Sequence, residues 1–400
     1  MTLNRSIGLW FAVFFPSALF VLAGTSSLAA GAAVACVVTA LAWPVGTATA
    51  LARHGTAVGL AGILLTFIAF HLMVATVHAP VNVPRAAVSM LLLTLFLLGG
   101  LSLSHAFFAA PSHDVDRTCT RIFTVFIIVA VVYLSGLLRL GPEGTQVVFP
   151  FNEPSHFALA FTPFLMYACL RRDGWRRYVL LVVGLTIAYL IQNLTLVVGC
   201  LLVAALCTRA VFAPVLAALV AGAALSLDLG YFTERLNLST DNSNISTLAY
   251  LQGWELLQEG LDRSRGWGIG FQQLGERETA VPIADLIYAQ GELELNLRDG
   301  AFVLAKLGAE FGAFGIAAAA VLLTAAARAA LALRRDSRSG AAPASVQFAR
   351  CVLVAYAVNL LVREGGYFTG SSLLLIASLM VLWKARRATA SIAPSLAAQR

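Results

Sequence analysis

Between two apolar stretches the chain runs Phe149-Pro150-Phe151-Asn152-Glu153-Pro154-Ser155-His156-Phe157, with a carboxylate, a hydroxyl and an imidazole within four consecutive residues. A carboxylate and an imidazole so close together can accept and pass on a proton, the requirement of general acid–base chemistry. Polar groups flanked by hydrocarbon are costly unless they face a protein interior or a wet cavity. We therefore read the stretch as one wall of an active site, with Glu153 and His156 as its catalytic candidates. A plainer role also fits. Proline beside a carboxylate and a serine is ordinary chemistry for a helix N-terminus, and His156 would then only satisfy a neighbouring helix.

Further charged groups stand where apolar chain surrounds them. Lys306 and Glu310 are four residues apart, hence on one face of a helix, inside an apolar stretch. Such groups mark a functional site or an ion pair that staples helices. Arg298-Asp299-Gly300 precedes that stretch; Asp299 is placed to cap the helix, whose positive end would favour an anion. Val362-Arg363-Glu364-Gly365-Gly366-Tyr367-Phe368 supplies another cation and carboxylate. The run Arg263-Ser264-Arg265-Gly266-Trp267-Gly268-Ile269-Gly270-Phe271-Gln272-Gln273 sets two cations among glycines, which allow either close backbone approach to a ligand or a plain turn. Arginine's planar fork suits phosphate oxygens, so Arg298, Arg265, Arg363 and Lys306 are candidates to hold a multiply charged anion. Trp254, Trp267, Phe271 and Tyr367 offer flat faces of the kind sugar rings pack on. Trp254, Trp267 and Tyr367, with Gln272, Asp299 and Glu310, are the candidates for glycan contact. The sequence has no Cys-x-x-Cys and no His-x-x-x-His, and neither a metal site nor a cofactor is expected.

Composition sets these groups in a membrane. Of 400 residues, 59% are hydrophobic and 12% charged, with a mean hydropathy of +0.83. Soluble domains carry roughly 25% charged residues, so an ordinary cytosolic protein is excluded and an all-α polytopic membrane protein is indicated. Apolar segments near 7–24, 26–52, 56–77, 86–110, 122–140, 155–170, 178–191, 194–208, 211–230, 301–333, 346–362 and 371–384 give about twelve transmembrane helices. The pair 178–191 and 194–208 is short enough to form a hairpin that does not fully cross. Arg5 and the apolar run to Ala23 look like a secretory signal, but alternation of sides needs them as the first span.

The formal charge of +7 is nearly all arginine lying between apolar segments, which reads as orientation rather than nucleic-acid binding. With the N-terminus inside, eighteen of the 27 lysines and arginines fall on the cytoplasmic side, anchored most strongly by Arg171-Arg172-Asp173-Gly174-Trp175-Arg176-Arg177. Both termini are then cytoplasmic, and the Glu153 stretch lies on the outer face. The chain divides into 1–230 with about nine spans, an outer loop or lid at 231–300, and 301–400 with about three spans and a basic tail. That tail, from Lys384, is expected to be unstructured. Within the loop, Ile245, Leu248, Leu251, Trp254, Leu257 and Leu261 recur at three or four residues and predict an amphipathic helix, its start marked by the polar run 239–244.

The residues Phe151 to His156, Ala249-Tyr250-Leu251-Gln252-Gly253-Trp254 leading into Gly266 to Gly275, Arg298-Asp299-Gly300 to Gly308, and Arg363 to Phe368, in that order, resemble the bacterial Wzy-type O-antigen polymerases of the O-antigen ligase-like superfamily. The resemblance implies a GT-C-like, metal-independent glycosyltransferase of the bacterial inner membrane. The implied reaction transfers a growing glycan from undecaprenyl diphosphate to the end of a new lipid-linked repeat unit, with inversion. The partners would be undecaprenyl-diphosphate-linked oligosaccharide and membrane lipid, with a polysaccharide chain-length regulator as a further candidate and no nucleic acid. On this reading Arg298 meets the diphosphate first, supported by Arg265, Arg363 and Lys306. Glu153, ahead of His156, is the base or the acceptor-orienting carboxylate. The polymer class stays open among O-antigen of lipopolysaccharide, capsule and exopolysaccharide. An O-antigen ligase is the nearest alternative, but the late catalytic histidine of that family has no counterpart after His156. A lipid-linked-oligosaccharide flippase or other transporter is the alternative from another class, and paired repeats with broken helices near mid-membrane would mark it.

Overall fold

A computed structural model describes residues 3–24, 27–42, 48–49, 51–52, 55–78, 80–137, 147–208, 230–240, 244–275, 281–289, 300–339, 342–364 and 366–397. Its helices are α1 Leu3–Ala23, α2 Leu28–Ala42, α3 Gly55–Ala75, α4 Val83–Phe108, α5 Ser112–Leu134, α6 Pro154–Leu170, α7 Trp175–Leu190, α8 Leu194–Cys207, α9 Gly230–Leu236, α10 Ile245–Arg263, α11 Pro282–Ala289, α12 Val303–Ser339, α13 Ala344–Leu361 and α14 Gly370–Ala397. No strand forms among the described residues.

Helices α1, α3, α4, α5, α12 and α13 are each long and apolar enough to cross a membrane, while α2, α6 and α8 are apolar but shorter. This is the pattern of a polytopic membrane protein. Of the other expected spans, 178–190 and 371–384 are helical within α7 and α14, and 211–229 of the span 211–230 lies outside the described residues. Helices α7 and α8 have 16 and 14 residues. At 1.5 Å per residue they reach roughly 24 and 21 Å, against about 30 Å of hydrocarbon. Gln192, at a φ of 54°, turns the chain between them, and the Asn193 side chain caps α8 by accepting from Leu196 N at 2.8 Å. The tail expected to be unstructured is instead helical to Ala397. Ala385-Arg386-Arg387-Ala388 are strong helix formers that extend a helix the apolar segment before them has already nucleated.

Polar contacts sort the helix ends into two sets. At one end Asp116 of α5 accepts from Tyr167 Oη and from Arg171 Nε, each at 3.1 Å. There too Ala344 N reaches Ser112 Oγ at 3.4 Å, Lys384 Nζ reaches Ser104 Oγ at 3.1 Å, and Arg350 pairs with Asp336. The arginine pattern assigns all of these ends to one side. The α1–α2 turn, the starts of α4, α6 and α12 and the α13–α14 turn gather at the other end, around a common cavity.

Helix α10 forms where its periodicity predicts it, and the Asn244 side chain caps it by accepting from Ser246 N and Thr247 N. Its buried face differs from the expected one. Leu248, Ala249, Gln252, Gly253, Leu256, Leu257 and Gly260 are buried, whereas Trp254 is 42% exposed. Small residues decide this. A Cβ on Gly253 would stand 2.4 Å from Gly300 O, and one on Gly260 would stand 2.8 Å from Ala309 Cα.

Helix α12 is broken at Gly312, which has φ 57° and ψ −134°. The glycine-rich segment fills the break. Ile269 N donates to Ala309 O at 3.0 Å, Gly270 N to Glu310 O at 2.9 Å, and Ala313 N to Gly266 O at 2.9 Å. Irregular backbone is tolerated at membrane depth where protein satisfies it in this way. The glycines do permit close backbone approach, but to the broken helix. A Cβ on Gly268 would lie 2.4 Å from Glu310 O, and one on Gly312 would lie 2.0 Å from Gly266 O. Buried His71 of α3 then clamps the segment. Its ring stacks on Trp267 at 5.0 Å, its Nε2 is 2.9 Å from Trp267 O, and Trp267 Nε1 donates to His71 O at 3.2 Å.

G268A and G312A each add a side chain at positive φ, which costs about 1–3 kcal/mol before any clash. Both variants should unfold at lower temperature than wild type in detergent. G59A, whose Cβ would meet nothing within 4 Å, should not.

Candidate functional site

Aromatic packing fixes the Glu153 stretch at both ends. Phe151 and Phe157 are buried, and both rings sit 5.7 Å from Phe126; Phe157 also stacks on Phe161 at 5.4 Å. The polar residues between them are left to face the cavity. Pro154 opens α6 with its φ already suited to a helix. Glu153 occupies the capping position, yet its side chain makes no capping bond. It accepts instead from Arg363 Nη2 at 3.2 and 3.5 Å, and Oε1 lies 3.3 Å from His156 Nε2. Capping alone therefore does not account for Glu153. His156 Nδ1 is 2.5 Å from Asn152 Oδ1, so oxygens flank the imidazole on both sides, and a neutral ring can donate to only one of them.

Glu153 precedes the first residue of α6. Burial there pushes its carboxyl up, but the charges of Arg363 and then His156 outweigh burial and hold it down to about 2. It is ionised across the neutral range.

Six of the residues expected in a site line one cavity of about 540 Å³: Glu153, His156, Gln272, Lys306, Arg363 and Tyr367. Lys306 is 2% exposed, with Nζ 5.2 Å from the centroid of the Tyr367 ring. Arg85 and Asn152 line the same cavity and were not singled out in the sequence. Arg85 is held by a bond from Nη2 to Leu274 O at 3.4 Å. Glu364, whose carboxylate the sequence did bring forward, also lines the cavity, its Oε2 accepting from Asn359 Nδ2 at 3.4 Å. Gln272, Ala301 and Glu364, with φ of 60°, 59° and 108°, are three of the five non-glycine residues at positive φ among those described, and all three line this cavity. Backbone strain collects at functional sites when the surrounding structure enforces it.

The other expected residues lie elsewhere. Glu310 is fully buried and accepts from Gln272 N at 2.9 Å and Leu274 N at 3.3 Å, so it holds the backbone that presents Gln272. Trp254 packs on Phe302 at 5.0 Å, Trp267 on His71, and Arg265 is exposed; none of these lines the cavity. Arg298 and Asp299 lie outside the described residues. Among the described residues, no group of three or more His, Cys, Asp or Glu is placed to hold a metal ion.

A second cavity, of about 700 Å³, adjoins the first. Asn152, Glu153, Ala301 and Arg363 line both, so the Glu153–Arg363 pair stands between them. Arg235 lines the second. The sequence did hold a signal for both missed arginines: Arg85 and Arg235 are among the nine basic residues on the side that the positive-inside pattern disfavours.

No protein-family model matches the chain, and a search of curated proteins finds no match either.

The Glu153 carboxyl sets a pH test. A carboxyl held low in the folded state contributes stability above its unfolded value, and that contribution is lost as pH falls through the folded value. The gap in unfolding temperature between wild type and R363Q should therefore be widest near neutral pH. It should close between pH 4.5 and about 2, as followed by thermal unfolding in detergent.

Proposed function

We propose that the chain is a membrane glycosyltransferase that polymerises lipid-diphosphate-linked oligosaccharides. The observation that carries this reading is the convergence of Arg85, Lys306 and Arg363 with Glu153 around one cavity, beside apolar Phe20 and Leu28. Cations to meet a diphosphate, a carboxylate to meet a hydroxyl and apolar side chains to meet a prenyl tail are what the reaction requires together. The resemblance to Wzy-type O-antigen polymerases belongs to the same reading. With it come a GT-C-like architecture of about twelve spans, undecaprenyl diphosphate as the carrier, and the bacterial inner membrane with both termini cytoplasmic.

In the transfer, an acceptor hydroxyl bonds to the anomeric carbon of the donor while the bond to the diphosphate oxygen breaks. Negative charge gathers on the leaving diphosphate, where Lys306, Arg85 and Arg363 are already in place. Arg298 keeps the role that the sequence gives it. The proton of the acceptor passes to the Glu153–His156 pair. While Arg363 holds it, Glu153 is a weak base. A diphosphate that draws on Arg363 loosens that hold, and burial then raises the proton affinity of the carboxylate as the donor arrives.

The break at Gly312 is a feature a transporter would share. Its freed backbone groups are taken by the glycine-rich segment rather than turned toward a cavity, so it does not favour transport.

In a deletion strain, complementation with E153A or R363A should leave a single repeat unit where wild type gives a ladder, at unchanged membrane levels. Purified R363K should lose about 10²–10³-fold in rate, the usual effect of removing one preorganised donor, and wild-type activity should survive a chelator. Wild-type chain lengths in both alanine variants would overturn the assignment.

A further inference from the structure

The transfer scheme gives the second cavity no occupant. At about 700 Å³ it is within the size range of ligand sites. Its wall away from Glu153 includes Asn193, Thr195, Ser246 and Thr247 with the rings of Tyr231 and Tyr250. Amides, hydroxyls and aromatic faces are what a sugar chain recognises, through hydrogen bonds to its hydroxyls and packing on its rings. Arg235 adds a charge. Its guanidinium carbon lies 4.4 Å from the centroid of the Tyr231 ring. Its Nε is buried with no hydrogen-bond partner. A buried donor left unmet costs free energy that a bound acceptor would recover. The carboxylates that act on Arg235 are Glu153 and Glu234; the first already serves Arg363 and His156.

We propose that this cavity is a second substrate site, shaped for a sugar chain that carries an anionic oxygen, with Arg235 as the group that reads the anion. The proposal rests on the transferase reading, because a chain bound here ends at the Glu153–Arg363 pair, where the first cavity begins. The anionic oxygen has two possible sources, a carboxylate on a sugar or the diphosphate of a second lipid carrier. The cavity's hydroxyls and aromatic rings favour the sugar.

The test measures binding to the full chain in lipid nanodiscs by titration calorimetry, with three probes. They are a glucuronate-containing disaccharide, the neutral disaccharide diacetylchitobiose, and farnesyl diphosphate. Wild type should prefer the acidic disaccharide to the neutral one, a comparison that needs no substitution. R235Q should bind the acidic disaccharide about tenfold or more weakly, the usual worth of a hydrogen bond to a charged group. It should bind farnesyl diphosphate as wild type does, and R235K should fall between. Equal binding of the two disaccharides by wild type, no binding of either, or an unchanged R235Q would overturn the proposal. Loss of farnesyl diphosphate binding in R235Q would overturn it too, by giving Arg235 to the lipid carrier. Failure of wild type to bind farnesyl diphosphate, with the acidic disaccharide still bound, would count against the transferase reading while supporting the sugar site.

Discussion

Glu153 and Arg363, 210 residues apart in the chain, meet at 3.2 Å and join the start of α6 to the turn between α13 and α14. Both side chains are partly buried, and each offsets the cost of the other's charge there. The pairing also sets their states: the carboxylate stays ionised, and the guanidinium is aimed at both cavities rather than left to swing. His156 and Asn152 extend the pair along α6, and the buried rings of Phe151 and Phe157 keep that extension in place.

The opposite wall depends on backbone bonding. Breaking α12 at Gly312 frees peptide groups that lipid cannot satisfy, and the glycine-rich segment satisfies them at a distance only glycine allows. Lys306 and Glu310, one turn apart on the same helix, stay within electrostatic reach of each other but take different neighbours. Glu310 is drawn to the peptide N–H groups of Gln272 and Leu274, whereas Lys306 lines the cavity beside Tyr367.

Much of this was legible in the sequence because hydropathy and charge act locally. Apolar runs gave most of the helices, the polar run before Ile245 gave the start of α10, and the short hairpin of α7 and α8 followed from segment length. Six residues that line the first cavity could be named because a polar group in an apolar setting stands out in one dimension. What the sequence hid was non-local. The buried face of α10 is chosen by Gly253 and Gly260 against α12, not by its apolar period. The glycines near Trp267 look the same whether their neighbour is a ligand or a broken helix. Trp254 and Trp267 have the right chemistry for sugars, but their rings are spent on Phe302 and His71. Arg85 and Arg235 carried a topological anomaly and no motif, so nothing local joined them to Glu153.

The charge balance of the first cavity ties these parts together. Arg85, Lys306 and Arg363 line it together with Glu153 and Glu364, so the carboxylates offset most of the formal charge of the cations. A site of bare cations would repel itself and hold an anion too firmly to let it leave. Here each cation already has company: Arg85 on a carbonyl, Lys306 over an aromatic ring, Arg363 on a carboxylate. In the transfer we propose, an arriving anion exchanges partners rather than meeting a naked field, and a leaving one returns them. The framework around that exchange is held by other interactions: Phe151 and Phe157 by ring packing, and the glycine-rich segment by backbone bonds to α12.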